Sequence, residues 1–365
     1  MKRYLIKLCG GIAIIAIALV LLWASWQSEA FATWYAVHIY PVFPATIGRF
    51  TGMLPFSVFE IGLILISLSI VVWIVRTVVQ LFSVRGRKKL MPRLKRLPLI
   101  LIYFAGTVLL VFVLTAGINY SRRSFADHLG LAVTPSPIEE LEALFFRLND
   151  RAHSMVPYIT TDAEGHFVLS DPNTYQIAIQ SMKDLNTSMG DLNTFFPRAT
   201  TLPFLNFILS HARITGFFSP WTLEAHYNRA MPYQNVPFVI NHELAHVAGH
   251  MREDEANFIA YLSARDSGHI DFEYSAVYIG LGYVLNALVR VVSTARYAEL
   301  FNMLPEQVIR DLANARAFWQ QFDGPVAEVQ RQVNDAYLRI NRVPDGVLSY
   351  GRIVDWMLAY YRNAP

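Results

Sequence analysis

Apolar residues crowd into three unbroken runs in the first third of this chain, at about 8–26 (LCGGIAIIAIALVLLWASW), 58–82 and 97–117 (LPLILIYFAGTVLLVFVLTAG). A helix crossing the hydrocarbon core of a bilayer takes roughly 20 apolar residues, so each run predicts a transmembrane helix. The first is long for a cleaved signal peptide and has no small-x-small site followed by a polar start, so it reads as retained. Basic residues set the direction. Lys2, Arg3 and Lys7 precede the first span, and the loop 83–96 holds seven basic residues and no acidic one, whereas the loop 27–56 holds Arg49 alone. This asymmetry predicts a cytoplasmic N-terminus, a cytoplasmic 83–96 loop and an extracytoplasmic chain after about residue 118. Arg76 falls where its stem can snorkel to the inner interface. Glu60 reads as interfacial at the outer end of the second span, and Trp23, Trp26 and Trp34 read as an aromatic belt.

Beyond the third run the pattern changes to the 3.6-residue period of amphipathic helices. TPSPIEELEALFFRLNDRAHSM carries a helix start, with Ser136 as cap, Pro137 in the first position and Glu139 completing a capping box. YITTDAEGHFVLSD reads as a hairpin or loop. Helical patterns follow near 173–190, 236–250, 252–266, 272–296, 305–321, 324–342 and 349–362. The stretch 274–292 (YSAVYIGLGYVLNALVRVV) is nearly uncharged, but Gly280, Gly282, Asn286 and Arg290 interrupt it. It reads as a helix buried in the C-terminal unit, with a fourth span as the alternative. The predicted fold class is mainly α: a membrane domain over 1–117, then a mostly helical extracytoplasmic domain over 118–365 with at most a small sheet.

Composition agrees with a membrane location, since 54% of residues are hydrophobic and only 16% charged, an apolar excess over ordinary soluble domains. The protein is thus expected in the cell membrane as a multi-pass protein, with the lipid bilayer as a partner. No basic tract is interleaved with aromatics, so nucleic acid is not expected as one. The single cysteine, Cys9, excludes a disulfide framework or a multi-cysteine metal cluster, and it reads as a buried apolar residue.

The chemistry concentrates in VINHELAHVAGHMREDEAN, residues 239–257. His242, Glu243 and His246 form His-Glu-x-x-His. On a helix, positions four apart share a face, so both imidazoles can ligate one Zn²⁺ while Glu243 reaches a water beside it as general base. Pro237 suits the first turn of that helix, and Gly249 can end it. The bland alternative is a buried helix whose histidines find hydrogen-bond partners. Downstream, Glu253 and Asn257 are four apart, which resembles the Glu-x-x-x-Asp arrangement of gluzincin metallopeptidases with Asn in place of Asp. There the Glu binds zinc and the next acidic residue buttresses a ligating histidine from behind. Glu255 is the alternative third ligand. It lies about 200° around the helix from Glu253, so the two cannot both face one metal. A metzincin would need histidine at 252, where Arg252 stands, and His250 reads as a helix-end residue.

With these residues in view, the chain resembles a family of bacterial membrane proteins of unknown function with three N-terminal spans and a gluzincin-like domain. IYPVFPATIGRFTGMLPFS, ITGFFSPWTLEAHYN, VPFVINHELAHVAGHMREDEANF and DAYLRINRVPDGVLSYGR carry the likeness, which covers nearly the whole length. The resemblance implies a zincin-like (α+β) metallopeptidase fold with one Zn²⁺ per chain and names no substrate. The segment 219–232 (SPWTLEAHYNRAMP) would supply an edge strand for an extended peptide, with His226, Tyr227 and Asn228 near the cleft. Tyr350 and Arg352 are candidate oxyanion donors, with Tyr274 and Tyr278 as alternatives; each also reads as a packing or surface residue. The function expected is zinc-dependent hydrolysis of peptides or envelope proteins near the membrane. Its rival is an inactive zinc-binding sensor or envelope-binding module on the same fold.

Overall fold

The computed structural model of the chain describes residues 2–134, 136–193 and 195–363. Pro135, in the opening segment of the C-terminal unit, and residues 364 and 365 at its end lie outside them. The first third is built from α1 (Lys2–Gln27), α2 (Glu29–His38), the single turn α3 (Arg49–Gly52), α4 (Val58–Leu81) and α5 (Val84–Phe112). The C-terminal body adds α6 (Phe125–His128), α7 (Ile138–Met155), α8 (Thr174–Met189), α9 (Asn206–His211), β1 (Gly216–Ser219), β2 (Glu224–Tyr227), α10 (Val236–Val247), α11 (Glu253–Arg265) and α12 (Ile270–Leu288). It ends with α13 (Thr294–Asn302), α14 (Glu306–Gln320), α15 (Pro325–Ile340) and α16 (Ile353–Asn363). The fold is mainly helical. Among the described residues the one sheet is the antiparallel pair β1–β2, pairing Phe217 with His226, with a further bridge from Thr200 to His226.

Among the described residues, three helices are long and apolar enough to cross a membrane: Tyr4–Gln27, Val58–Leu81 and Val84–Ser121. The third differs from its expected bounds. Residues 84–96, expected as a loop, form the first turns of α5, because Lys and Arg are good helix formers and Ser83 Oγ accepts the Gly86 N–H. Only Phe82 and Ser83 separate α4 from α5. The helix then continues through a π turn and a 3₁₀ turn to Ser121. Its 38 residues span about 57 Å against a core of about 30 Å, so it projects well beyond one bilayer. Gly106 lets α1 and α5 meet closely, since a Cβ there would lie 3.2 Å from Ile14 and Ile15. Cys9 is exposed rather than buried, since the neighbouring Gly10 and Gly11 provide the contact with α5.

The stretch 274–292 is not a span. Helix α12 buries Phe272, Tyr274, Val277, Leu281 and Leu285 inside the body, packed with α7, α10 and α11. The long pattern expected at 272–296 is cut at Ser293, whose hydroxyl accepts the Arg296 N–H and starts α13. At α7 the cap is Pro137 without a side-chain bond, and Ser136 instead accepts a hydrogen bond from Arg362.

The body is seated on the helix ends through buried polar contacts. Glu224 on β2 is 2% exposed, and its two oxygens accept the Val58 and Phe59 N–H groups at 2.8 Å, capping α4. Glu60, expected as interfacial, is 1% exposed and accepts the Phe204 and Leu205 N–H groups. Ser57 Oγ lies 2.8 Å from His226 Nε2, and Thr51 donates to the Thr222 carbonyl.

Two consequences can be measured on the full chain in lipid nanodiscs. Glu224→Gln weakens both charge-assisted bonds and should lower unfolding stability by about 1–3 kcal/mol. Burial holds the His226 pKa down at about 3, so the folded chain keeps this ring neutral while the unfolded chain protonates it below about 6.5. Stability should therefore fall as pH drops from about 6.5 toward 3, and His226→Gln should make that decline shallower. An unchanged slope in the variant would refute the assignment.

Candidate metal centre

Helix α10 brings the motif into the core. Pro237 stands in its first turn and Gly249, at φ +92°, terminates it in the left-handed conformation. Its terminal carbonyls are satisfied from outside. Tyr40, in the segment between the first two spans, donates to the Val247 carbonyl at 3.0 Å, and Asn193 does so at 2.9 Å. A side chain of the membrane-helix region thus caps the helix that carries the two histidines.

His242, His246 and Glu253 converge. His242 Nε2 lies 3.1 Å from His246 Nε2 and 3.1 Å from Glu253 Oε2, and His246 Nε2 lies 3.6 Å from the same oxygen. Ligands about 2.0–2.1 Å from a tetrahedral Zn²⁺ stand about 3.3–3.4 Å from one another, so these edges fit such an ion. The side chains behind them orient the donor atoms. His246 Nδ1 donates to the His250 carbonyl at 2.7 Å, which turns Nε2 toward Glu253. Asn257 stands beside His242, and its amide nitrogen donates to the Tyr283 hydroxyl and the Tyr350 carbonyl. Burial alone would raise Glu253, yet His246 and His242 hold it well below the usual carboxylate range. Burial works to lower His246, but Glu253 and Glu243 raise it to about 9.

Glu255 is not part of this cluster. Its Oε2 sits 3.1 Å from His250 Nδ1, and its Oε1 is 3.3 Å from Arg252. His250 is wholly buried, with Nε2 3.0 Å from the Asp191 carbonyl, and Asp191 pairs with Arg122 at 2.6 Å. This charged layer locks the loop between α10 and α11 and connects it to the end of the third long helix.

Glu243 is 3% exposed, and burial pushes its carboxyl up to about 8. Its Oε2 is buried without a hydrogen-bond partner. A Cβ on Gly216 would lie 2.6 Å from its Oε1, so β1 approaches the carboxylate closely only because residue 216 is glycine. Both histidines, Glu243 and Glu253 line a cavity of ≈ 1070 Å³. The three donors face a cavity rather than a fourth protein side chain, so the residues present fit a metal ion held by two imidazoles and a carboxylate.

Other expected contacts fall differently. The strand on the cavity wall is β1, residues 216–219, and of the 220–232 segment Pro220 and Trp221 reach the wall while β2 does not. His226 and Asn228 are wholly buried away from the cavity, His226 against Ser57 and the Phe217 ring, Asn228 against Asn206 and Ser210. Arg352 pairs with Asp345 and Asp254. Tyr274 donates to Asp311 inside the core, and Tyr278 reaches the cavity wall. Tyr350 lines the cavity near Glu253, and its hydroxyl accepts from Asn334. Tyr120, Gly216 and Tyr283 also line it. Only Gly216, isolated between Thr215 and an aromatic pair, left a trace in the pattern.

A methyl at 216 would also stand 2.8 Å from the His226 carbonyl and from Val239. Gly216→Ala should therefore cost about 1–3 kcal/mol of stability through overpacking, read as a lowered unfolding midpoint. A variant as stable as wild type would show that β1 and Glu243 are not in this contact.

A family model with the description "Protein of unknown function (DUF3810)" matches residues 35–358. No curated protein and no solved structure matches the chain.

Proposed function

We propose, on the premise that the chain belongs to the DUF3810 family of proteins of unknown function, that it is a membrane-anchored zinc-dependent metallopeptidase. One observation carries the reading: His242, His246 and Glu253 converge with tetrahedral spacing on a cavity that also receives the buried Glu243. Residues 118–365 form the peptidase domain in this reading, on a zincin-like plan of an edge strand, a histidine helix and a glutamate helix. The domain lies outside the cytoplasm. The seven basic residues of 83–96 against Arg49 alone in 27–56 support that side.

Zinc bound by the three donors would polarise a peptide carbonyl and lower the pKa of a neighbouring water. Glu243 takes the proton as that water attacks and delivers it to the leaving amine. Its burial and raised pKa suit it to hold a proton between those steps. Asn257 and the His250 carbonyl keep the imidazoles in the ligating orientation, and Tyr350 steadies Glu253. The Asn228 N–H donates to the Thr215 carbonyl, so by the alternation of an antiparallel ladder Gly216 and Phe218 turn their backbone groups to the free edge. An extended substrate adds to that edge as a further strand.

The test is metal content and cleavage of a peptide library by the full chain in nanodiscs. Wild type should hold about one zinc per chain, as three donors with an open position require; His246→Ala and Glu253→Ala should lose it. Glu243→Gln should keep the zinc and lose cleavage by about 10²–10⁴-fold. Cleavage that survives in Glu243→Gln, or folded wild type without zinc, would sink the reading. Asn257→Ala should bind zinc about 10–100-fold more weakly in a chelator competition, with Asn257→Asp restoring it.

A further inference from the structure

Helix α15 carries three faces that ordinary packing does not explain. Its inner face holds the buried Leu338, with Ala327, Gln330 and Asn334 on the cavity wall. A second face is charged and self-paired, Arg331 with Glu328 at the edge of the cavity and Arg339 with Asp335 beyond it. The third is an apolar stripe at helical spacing: Val326, Val329, Val333 and Ile340, exposed by 56, 58, 58 and 72%. Four branched aliphatic side chains on one stripe of a surface helix form a patch that water does not favour.

The place of the helix indicates what covers that stripe. The Tyr337 ring packs edge-on against Phe112, and its hydroxyl accepts from Tyr120. Just past the helix, Arg342 donates to the Trp26 carbonyl and lies 5.9 Å from the Trp26 ring. Trp26 closes the first candidate span, and Phe112 and Tyr120 belong to the third. The apolar stripe therefore begins where the apolar surface of the spans ends. The charged flank and the single-sided exposure are those of a helix lying in a membrane interface.

We propose that α15 lies in the interface of the bilayer that the spans cross, with Val326, Val329, Val333 and Ile340 in its acyl boundary. The cavity lined by the opposite face of α15 and by Phe112, Ala116 and Tyr120 then opens at the membrane surface. This surface uses neither the metal nor any cleavage, so it stands apart from the peptidase reading.

The experiment uses the full chain with its one cysteine removed as Cys9→Ser. Single cysteines replace Val329, Val333 or, on the charged flank, Gln332, and each is labelled with an environment-sensitive fluorophore in nanodiscs. Nitroxide carried high on the lipid acyl chain should quench more than half of the signal at 329 and 333, leaving 332 nearly unchanged. Equal quenching at all three positions by aqueous iodide and none by lipid would overturn the proposal. So would a disulfide cross-link between two copies at 333, which would assign the stripe to a second chain. Zinc is measured on the same samples: lipid quenching without zinc upholds the interface and counts against the peptidase, and zinc without lipid quenching does the reverse.

Discussion

A carboxylate buried between two imidazoles is the constraint around which this body is arranged. Glu253 has 12% of its side chain exposed and lies within 3.6 Å of both histidine Nε2 atoms. Breaking a buried charge pair by removing one partner costs about 3–5 kcal/mol, so such a group must be held in place. The His250 carbonyl aims the His246 ring, Asn257 and Tyr350 stand beside the cluster, and α10 and α11 pack directly against each other. Two imidazole nitrogens can face each other at 3.1 Å when one carries a proton, and Glu253 and Glu243 favour that proton on His246. A bound cation would take the place of that proton between the rings and the glutamate.

The same constraint ties the body to the membrane helices. The turn between α10 and α11 determines where Glu253 stands relative to the histidines. That turn is fixed by Tyr40 at one end and by the Arg122–Asp191–His250–Glu255 layer at the other. Tyr40 comes from the segment between the first two spans, and Arg122 follows the third. Glu224 and Glu60 make reciprocal bonds between the sheet side of the body and the start of α4. The body is therefore not a tethered globule, because its site geometry borrows residues from the segments that flank the spans on one side.

Features encoded locally were legible in the chain. Apolar runs of span length, the His-Glu-x-x-His spacing and the glycine stop at 249 each follow from a few adjacent residues. The choice between Glu253 and Glu255 needed the phase of α11, which the structure supplies by giving Glu255 to His250 and Arg252. Most misplaced features depend on distant partners. Glu60 looked interfacial because the 204–205 backbone that it binds lies far along the chain. His226 and Asn228 looked like cleft residues because alternation along β2 does not reveal which side meets α4. Residues 83–96 looked like a loop because charge density masks a helix that good helix formers can propagate.

The placement of Glu243 bears on what the site is for. Histidines that merely fill a core have no need of a neighbouring carboxylate left without a partner, and an unpaired buried oxygen costs about 1–3 kcal/mol. Here the Glu243 Oε2 is unpartnered, and Gly216 withholds the side chain that would otherwise crowd it. Three converging donors and a cavity lie beside it, and in the proposed reaction the Glu243 carboxylate would take the proton of the attacking water. A purely structural ion would be served by His242, His246 and Glu253 with a fourth protein ligand closing the site, whereas the space beside Glu243 is cavity.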